Sequence, residues 1–263
     1  MSSLIAEFIR PFRYYKYLLY QLTQREVKSR YKQSLIGYAW VLLNPLAQLM
    51  VYSFVFAQIF RFPTANIPYP VFLFAGLLPW TLFQTSILAA TQSLVSNVSL
   101  IKKVSFPREV IPYSVLAAKL VDFCFSALVF LLFLIWYQVP LAGTFIWFFP
   151  VLAVQLLLTT GISLFLSAAN LLYRDVQYLI NLILMLWMYM TPIVYALSLV
   201  PAKYVWYYKL NPMVGIIEGY RAALFGTPFE LSILWWSAGA SFVVFVIGYI
   251  IFKRLERVFA DIA

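Results

Sequence analysis

Few side chains in this sequence could do chemistry on their own. It has nine carboxylates, no histidine and one cysteine, Cys124. No two carboxylates are close together in the chain, and most stand beside a basic residue, as in Arg174–Asp175. Acid–base catalysis, a Cys–His nucleophile and the usual zinc sites all need residues that are scarce or missing here. Folding could still bring acids together, so we expect no metal site and no catalytic residue without treating an enzyme as excluded.

One pair of opposite charges lies inside an apolar run. Lys119 and Asp122 are three residues apart, and ionisable residues within a membrane are functional candidates. A proton relay is one interpretation, and a neutralised ion pair with Lys119 reaching toward the membrane edge is the other. Pro112 precedes Lys119 by only about 10 Å of helix, which favours the ion pair.

The composition predicts the elements that must position these residues. The chain has 263 residues, 64% hydrophobic and 11% charged, which is typical of an all-α, polytopic membrane protein. A spanning helix needs about 20 apolar residues. Six stretches qualify, although Pro192 should bend the fifth: Leu35–Phe60, Tyr69–Val95, Val110–Tyr137, Thr144–Leu172, Val176–Val200 and Leu231–Phe252.

Basic residues predict the orientation of these spans. They concentrate in the N-terminal segment, in the second and fourth connections and at the C-terminus. Because basic loops stay inside, both termini are predicted to be cytoplasmic, and the net charge of +10 is read as topology rather than as nucleic-acid binding. The chain then divides into a cytoplasmic segment 1–33, a transmembrane domain 34–254 and a cytoplasmic tail 255–263.

The segment before the first span has apolar residues at helical spacing, among them Ile5, Phe8 and Phe12, with Arg10 and Arg13 on other faces. This favours an amphipathic helix on the membrane surface over a loose basic tail. The charges in it also argue against a cleavable signal peptide.

A second apolar segment, Asn211 to Gly226, is too short to cross and contains Glu218 and Arg221, which could pair at i, i+3. A re-entrant helical hairpin between spans five and six is favoured over an ordinary outer loop.

A third segment, "SLIKKVSFPREVIP" from Ser99 to Pro112, is a polar cluster between two spans. The preference of basic residues for cytoplasmic loops is enough to explain why Lys102 and Lys103 are present. An exposed Phe106 beside Arg108 and Glu109 fits a docking surface better.

Aromatic residues recur along two spans, where their rings could stack on sugar rings and form a track for a polysaccharide. Packing against lipid is the alternative for each of them. The candidates are Tyr38, Tyr52, Phe56 and Phe60 in span one, and Tyr178, Trp187, Tyr189 and Tyr195 in span five.

Five ordered motifs carry a family resemblance: "YKQSLIGYAWVLLNPL", "FLFAGLLPWTLFQ", "LIKKVSFPREVIP", "NLLYRDVQY" and "TPIVY…LNPMVGIIEGYR". From about Arg30 to about Arg254 the chain resembles the permease subunit of ABC-2-type polysaccharide exporters, most closely the O-antigen branch, with capsule and teichoic-acid exporters as close relatives. The resemblance implies a homodimer in the bacterial inner membrane, paired with two copies of a separate ATPase. ATP and Mg would be bound by that partner, since this chain has no Gly-Lys-Ser/Thr phosphate loop and is expected to hold no cofactor.

The resemblance also implies residue roles. Lipid-linked polysaccharide, and in particular O-antigen, would be the substrate, and spans one and five would line its conduit. The ATPase-coupling segment would be Lys102, Lys103, Ser105, Phe106, Pro107, Arg108 and Glu109, and the outer gate Asn211, Pro212, Met213, Glu218 and Arg221.

Two rival functions stay open on the sequence. One is an ABC-2 exporter of lipids or small hydrophobic molecules, which would need no continuous aromatic track. The other is a membrane enzyme of glycan assembly, which would need an essential acid or base such as Asp122, Asp175 or Glu218.

Overall fold

The computed structural model describes residues 2–31, 36–37, 39–59, 67–104 and 106–259. Every regular element in these ranges is a helix. The α-helices are α1 (Ser2–Tyr31), α2 (Ala39–Ser53), α3 (Tyr69–Ser96), α4 (Val98–Lys103), α5 (Val110–Trp136), α6 (Phe148–Leu172), α7 (Val176–Tyr189), α8 (Ala202–Leu210), α9 (Pro212–Phe225) and α10 (Leu231–Leu255). A π-helical turn, Phe54–Ile59, extends α2, and short 3-10 turns are Gly143–Trp147, Leu197–Leu199 and Glu256–Val258.

Five segments in the described part of the chain are long and apolar enough to cross a membrane: Ala39–Phe56, Tyr69–Ser96, Val110–Trp136, Gly143–Leu172 and Leu231–Leu255. They match five of the six predicted spans. The remaining one, predicted over Val176–Val200, is α-helical only over α7, whose 14 residues rise about 21 Å. The helix ends before Pro192 because that ring clashes with the carbonyl four residues earlier and disfavours helix at the preceding residue.

The central helix is α3, which is buried more completely than the other four long apolar helices. It packs against α2, α5, α6, α7 and α9. The last turns of α3, α6 and α10 meet the first turns of α5 and α7 at one end of the bundle. We call this the basic end, because it carries Lys102, Lys103 and Lys253, and the opposite one the far end.

Helices α6 and α10 pack closely against each other through glycines. A Cβ placed on Gly248 would overlap the carbonyl of Gly161, and one on Gly161 would lie 2.5 Å from the Cα of Phe245. Small residues allow such close approach where lipid offers no hydrophobic driving force between helices. This contact fixes α10 against the rest of the bundle.

Gly248→Ala should destabilise the protein by about 1–3 kcal/mol, the usual cost of overpacking. The matched control is Gly239→Ala on the same helix, where a Cβ meets open space. That change should be neutral or slightly stabilising, since alanine is the better helix former. Thermal unfolding in one detergent measures both variants, and equal melting temperatures would contradict the close approach of α6 and α10.

Candidate functional site

The chain is no longer helical after α7, so its backbone carbonyls there lack helical partners. Side chains from other helices donate hydrogen bonds to these carbonyls. The two terminal guanidinium nitrogens of Arg221, Nη1 and Nη2, donate to the carbonyls of Pro192 and Ile193, at 2.7 and 2.8 Å. The Tyr69 hydroxyl donates to the carbonyl of Val194 at 2.7 Å. Non-helical backbone is tolerated at membrane depth only where protein or water satisfies it. The broken segment 190–196 is therefore held by α3 and α9.

Arg221 is 3% exposed, and its charge is compensated from several directions. Glu218 Oε1 lies 2.8 Å from Nη1, and the guanidinium carbon stacks 3.7 Å from the centre of the Phe72 ring. Gly76 leaves room for the guanidinium, since a Cβ there would lie 3.0 Å from Nη2. Buried charge persists only when paired and hydrogen-bonded. We call Arg221, Glu218, Tyr69 and Phe72 together the Arg221 clasp.

Asn211 joins α8 to α9 and binds the same broken segment from its other side. Its Oδ1 accepts the backbone N–H of Met213 at 3.0 Å and the indole N–H of Trp187 at 2.9 Å. Its Nδ2 donates to the Thr191 hydroxyl at 3.0 Å. Asparagine followed by proline is a favourable start for a helix, because the side chain caps an amide and Pro212 lacks one. Asn211 thus sets both where α9 begins and how it meets α7.

The rest of α9 is anchored inside the bundle. Tyr220 donates to Gln155 at 2.7 Å, and Gln155 donates in turn to the carbonyl of Pro79 at 2.7 Å. The helix ends at Gly226, whose φ of 70° suits glycine.

The structure therefore brings the predicted gate residues together around the broken helix, with Met213 fully buried. Sequence reasoning missed Tyr69, Phe72 and Gln155. Pro192 was the available signal that carbonyls near it would need donors.

At the basic end, the predicted coupling segment is tied to α1 and α10. Glu109 Oε1 accepts from the Tyr15 hydroxyl at 3.0 Å and from Lys253 at 2.7 Å. Glu256 accepts from Lys253 at 2.9 Å and from the backbone N–H of Arg108 at 2.9 Å. We call these five residues the basic-end cluster. Burial, and then the negative charge of Glu109, raise the pKa of the Tyr15 hydroxyl, so that it remains a donor.

The expectation that Phe106 is exposed is wrong. Its side chain is buried in an apolar cluster with Leu22, Ile101 and Phe252, because the chain folds back over the middle of α1 and the last turns of α10. Lys102 and Lys103 are exposed in the last turn of α4, and Pro107 is half-buried. Ser105 lies outside the described residues.

The predicted aromatic track divides into two sets. Tyr178 and Tyr189 are 71% and 60% exposed on α7. The others that are described, Tyr52, Phe56, Trp187 and Tyr195, are half-buried against the core. Tyr38 and Phe60 lie outside the described residues.

Lys119 and Asp122 lie within α5, with Nζ 3.6 Å from Oδ2 and side chains 18% and 16% exposed. They line a hollow of about 200 Å³ between α2, α3 and α5. No group of three or more His, Cys, Asp or Glu residues in the described ranges could hold a metal.

These features define a class before any comparison: a polytopic helical membrane protein with ordered polar clusters at both ends and a broken helix along its core. Residues 17–225 match the family model of the ABC-2 type transporter. The chain belongs to this family.

Curated relatives are similar over most of their length. The O-antigen export system permease protein RfbA of Klebsiella pneumoniae is 34% identical over 249 residues, 93% of this chain and 94% of the relative. RfbA of Myxococcus xanthus is 35% identical over 222 residues, 82% of this chain and 84% of its own. The polysialic acid transport protein KpsM of Escherichia coli is 26% identical over 208 residues, which are 76% of this chain and 78% of the relative.

Arg221→Lys should lower the free energy of unfolding by about 1–3 kcal/mol. Lysine keeps the charge, but its ammonium cannot reproduce the planar fork that reaches two carbonyls and Glu218. The matched control is Arg174→Lys, at an exposed position, which should stay within about 0.5 kcal/mol. Denaturant unfolding in micelles measures both, and an unchanged Arg221→Lys protein would show that the clasp contributes no stability.

Proposed function

We propose that this chain is the permease subunit of an ATP-driven exporter that moves lipid-linked polysaccharide, of the O-antigen class, across the bacterial inner membrane. The similarity to O-antigen export permeases over 93% of the chain carries this proposal. The relatives are permeases in name, which supports a transport subunit over a membrane enzyme. ATP and Mg would be bound by a separate ATPase, two copies of which would act with two copies of this chain.

We count α7 and the broken segment together as the sixth crossing. Gln177, at the start of α7, accepts a hydrogen bond from Gln92 near the end of α3, at 2.9 Å. Val194 meets Tyr69 at the start of α3. The stretch between them thus runs the length of the central helix. An even number of crossings puts both termini on one side, and the basic residues make that side the cytoplasm.

The contacts of α8 and α9 favour a re-entrant hairpin with its apex at Asn211. Trp187, which donates to Asn211, packs on Phe83 with ring centres 5.3 Å apart. Phe83 is fourteen residues into α3, about 21 Å from its far end. The other end of α9 lies at the far end of the bundle, where Ala142 donates to the carbonyl of Leu224. The hairpin would therefore dip below the outer surface and return, and close the outer mouth.

The exposed side of α7 offers a surface for the conduit and for a second copy. Tyr178 and Tyr189 are eleven residues apart, which is about three turns, so they lie on one face. Leu182 and Met185 are exposed along the same stripe. In the proposed dimer this stripe would face the polysaccharide, whose rings would stack on the tyrosines.

The basic end would couple ATP hydrolysis to this conduit. Lys102 and Lys103 are the exposed part of the segment, so they would meet the ATPase. Arg108 and Glu109 would pass the movement to α1 and α10 through the basic-end cluster.

The ATPase should co-purify with the protein from native membranes. Replacing Lys102 and Lys103 together by glutamate reverses both charges and should reduce the recovered ATPase at least about tenfold, since both side chains are exposed and the fold does not need them. The matched control, Lys203→Glu, changes an exposed lysine at the far end, and this variant should retain the ATPase. No ATPase with intact wild-type protein would overturn the proposed function, and full recovery with the basic-end variant would move the docking site elsewhere.

Tyr178→Ala and Tyr189→Ala should each slow polysaccharide export several-fold while leaving thermal stability unchanged, because both rings are exposed. Trp235→Ala removes an equally exposed aromatic from α10 and serves as the control. Surface polysaccharide in cells is the readout. Export unchanged by both tyrosine variants would exclude this face of α7 from the conduit.

A further inference from the structure

A hollow of about 330 Å³ lies at the far end, between α9, the start of α10, Phe72 of α3 and the turn Leu197–Leu199. We call it the far-end hollow. Its volume is at the lower end of the range of about 300–1,000 Å³ that is usual for small-molecule sites. It lies within one subunit and is separate from the exposed stripe of α7. The proposed function assigns no ligand to it, although Glu218 and Arg221 of the proposed outer gate belong to its lining.

The lining of this hollow combines hydrogen-bonding groups with aromatic surface. Its polar members are Ser198, Glu218, Arg221, Thr227 and Glu230, and its aromatic members are Phe72, Phe225 and Phe229. The Nε of Arg221 is buried and has no hydrogen-bond partner, on a side chain that is 3% exposed. Because this nitrogen has no surface open to the hollow, the polar groups that a ligand would meet are the hydroxyls and carboxylates of the lining.

The charges of the hollow decide the class of ligand. Glu218 neutralises Arg221 at 2.8 Å, and Glu230 lies 4.0 Å from Lys209 at the rim. Neither pair leaves a surplus positive charge for a phosphate or a carboxylate. The two glutamates instead accept hydrogen bonds from hydroxyl groups, and phenyl rings present flat apolar surface. Hydroxyls around a ring with an apolar face are the chemistry of a neutral sugar.

We propose that the far-end hollow binds a neutral saccharide unit, one or two rings in size. This inference deepens the proposed function, since it assumes that the far end of the protein meets saccharides. The ring could belong to the exported chain as it leaves or to a free sugar outside the membrane, and both have the same chemistry.

The test is a titration of the full-length protein, purified from native membranes with its bound subunits and placed in lipid nanodiscs. The probes are the methyl glycosides of glucose, galactose, mannose and rhamnose, with mannose 6-phosphate as the anionic comparison. Saturation-transfer NMR and calorimetry should detect binding of at least one neutral glycoside, and mannose 6-phosphate should bind at least about tenfold more weakly than methyl mannoside or not at all.

Two variants place the binding in the hollow. Ser198→Phe fills it from an exposed position and should weaken binding at least about tenfold. Ser232→Phe makes the same change at an exposed position outside the lining and should leave binding unchanged. Glu230→Gln should weaken binding several-fold, because it replaces a charged acceptor with a neutral one.

The outcomes distinguish a ring of the exported chain from a free sugar. They also distinguish failure of the saccharide site from failure of the proposed function. Slower export in Ser198→Phe cells assigns the ring to the exported chain, and normal export with lost binding assigns it to a free sugar. Absence of binding by all four glycosides, or equal binding by Ser198→Phe and Ser232→Phe, overturns the inference. Whether the ATPase co-purifies is read on the same preparation, so a failed titration with the ATPase present leaves the proposed function standing.

Discussion

The requirement that dominates this structure is that backbone carbonyls inside a membrane must have partners. Helices satisfy it internally, but the chain between Tyr189 and Leu197 does not form one. Arg221 and Tyr69 supply the missing donors for three successive carbonyls. The positions of α9 and of the first turns of α3 follow from this, because each must deliver a side chain to the same short segment. A buried arginine, costly elsewhere, is stabilised here by the carbonyls that need it and by Glu218.

Much of the fold could be predicted from local pattern. Five spans follow from length and hydropathy, because each is one continuous helix. The start of α9 follows from Asn211 and Pro212, and the Glu218–Arg221 pairing from helical spacing. In each case the interacting groups are close in sequence.

What could not be predicted depends on residues far apart in the chain. Glu109 and Lys253 are 144 residues apart, and neither sequence neighbourhood indicates the other. An exposed Phe106 is a reasonable expectation for a polar loop, and it is wrong because the middle of α1 and the last turns of α10 cover that side chain. Predicting where α7 ends requires Pro192 and also the distant side chains that donate hydrogen bonds to the exposed carbonyls.

Pro79 divides α3 into two parts, although the helix is continuous in sequence. A proline has no backbone N–H to offer, so the carbonyl of Ala75, one turn earlier, has no helical partner in this otherwise continuous rod. Every group that α3 contributes to the clasp, namely Tyr69, Phe72 and the space at Gly76, lies on the far side of Pro79. Gln155 holds the carbonyl of Pro79 itself. The first ten residues of α3, all buried except Pro70, are therefore joined to the longer remainder with one backbone hydrogen bond fewer than a regular helix has, and the whole contribution of α3 to the clasp lies on their side of that gap.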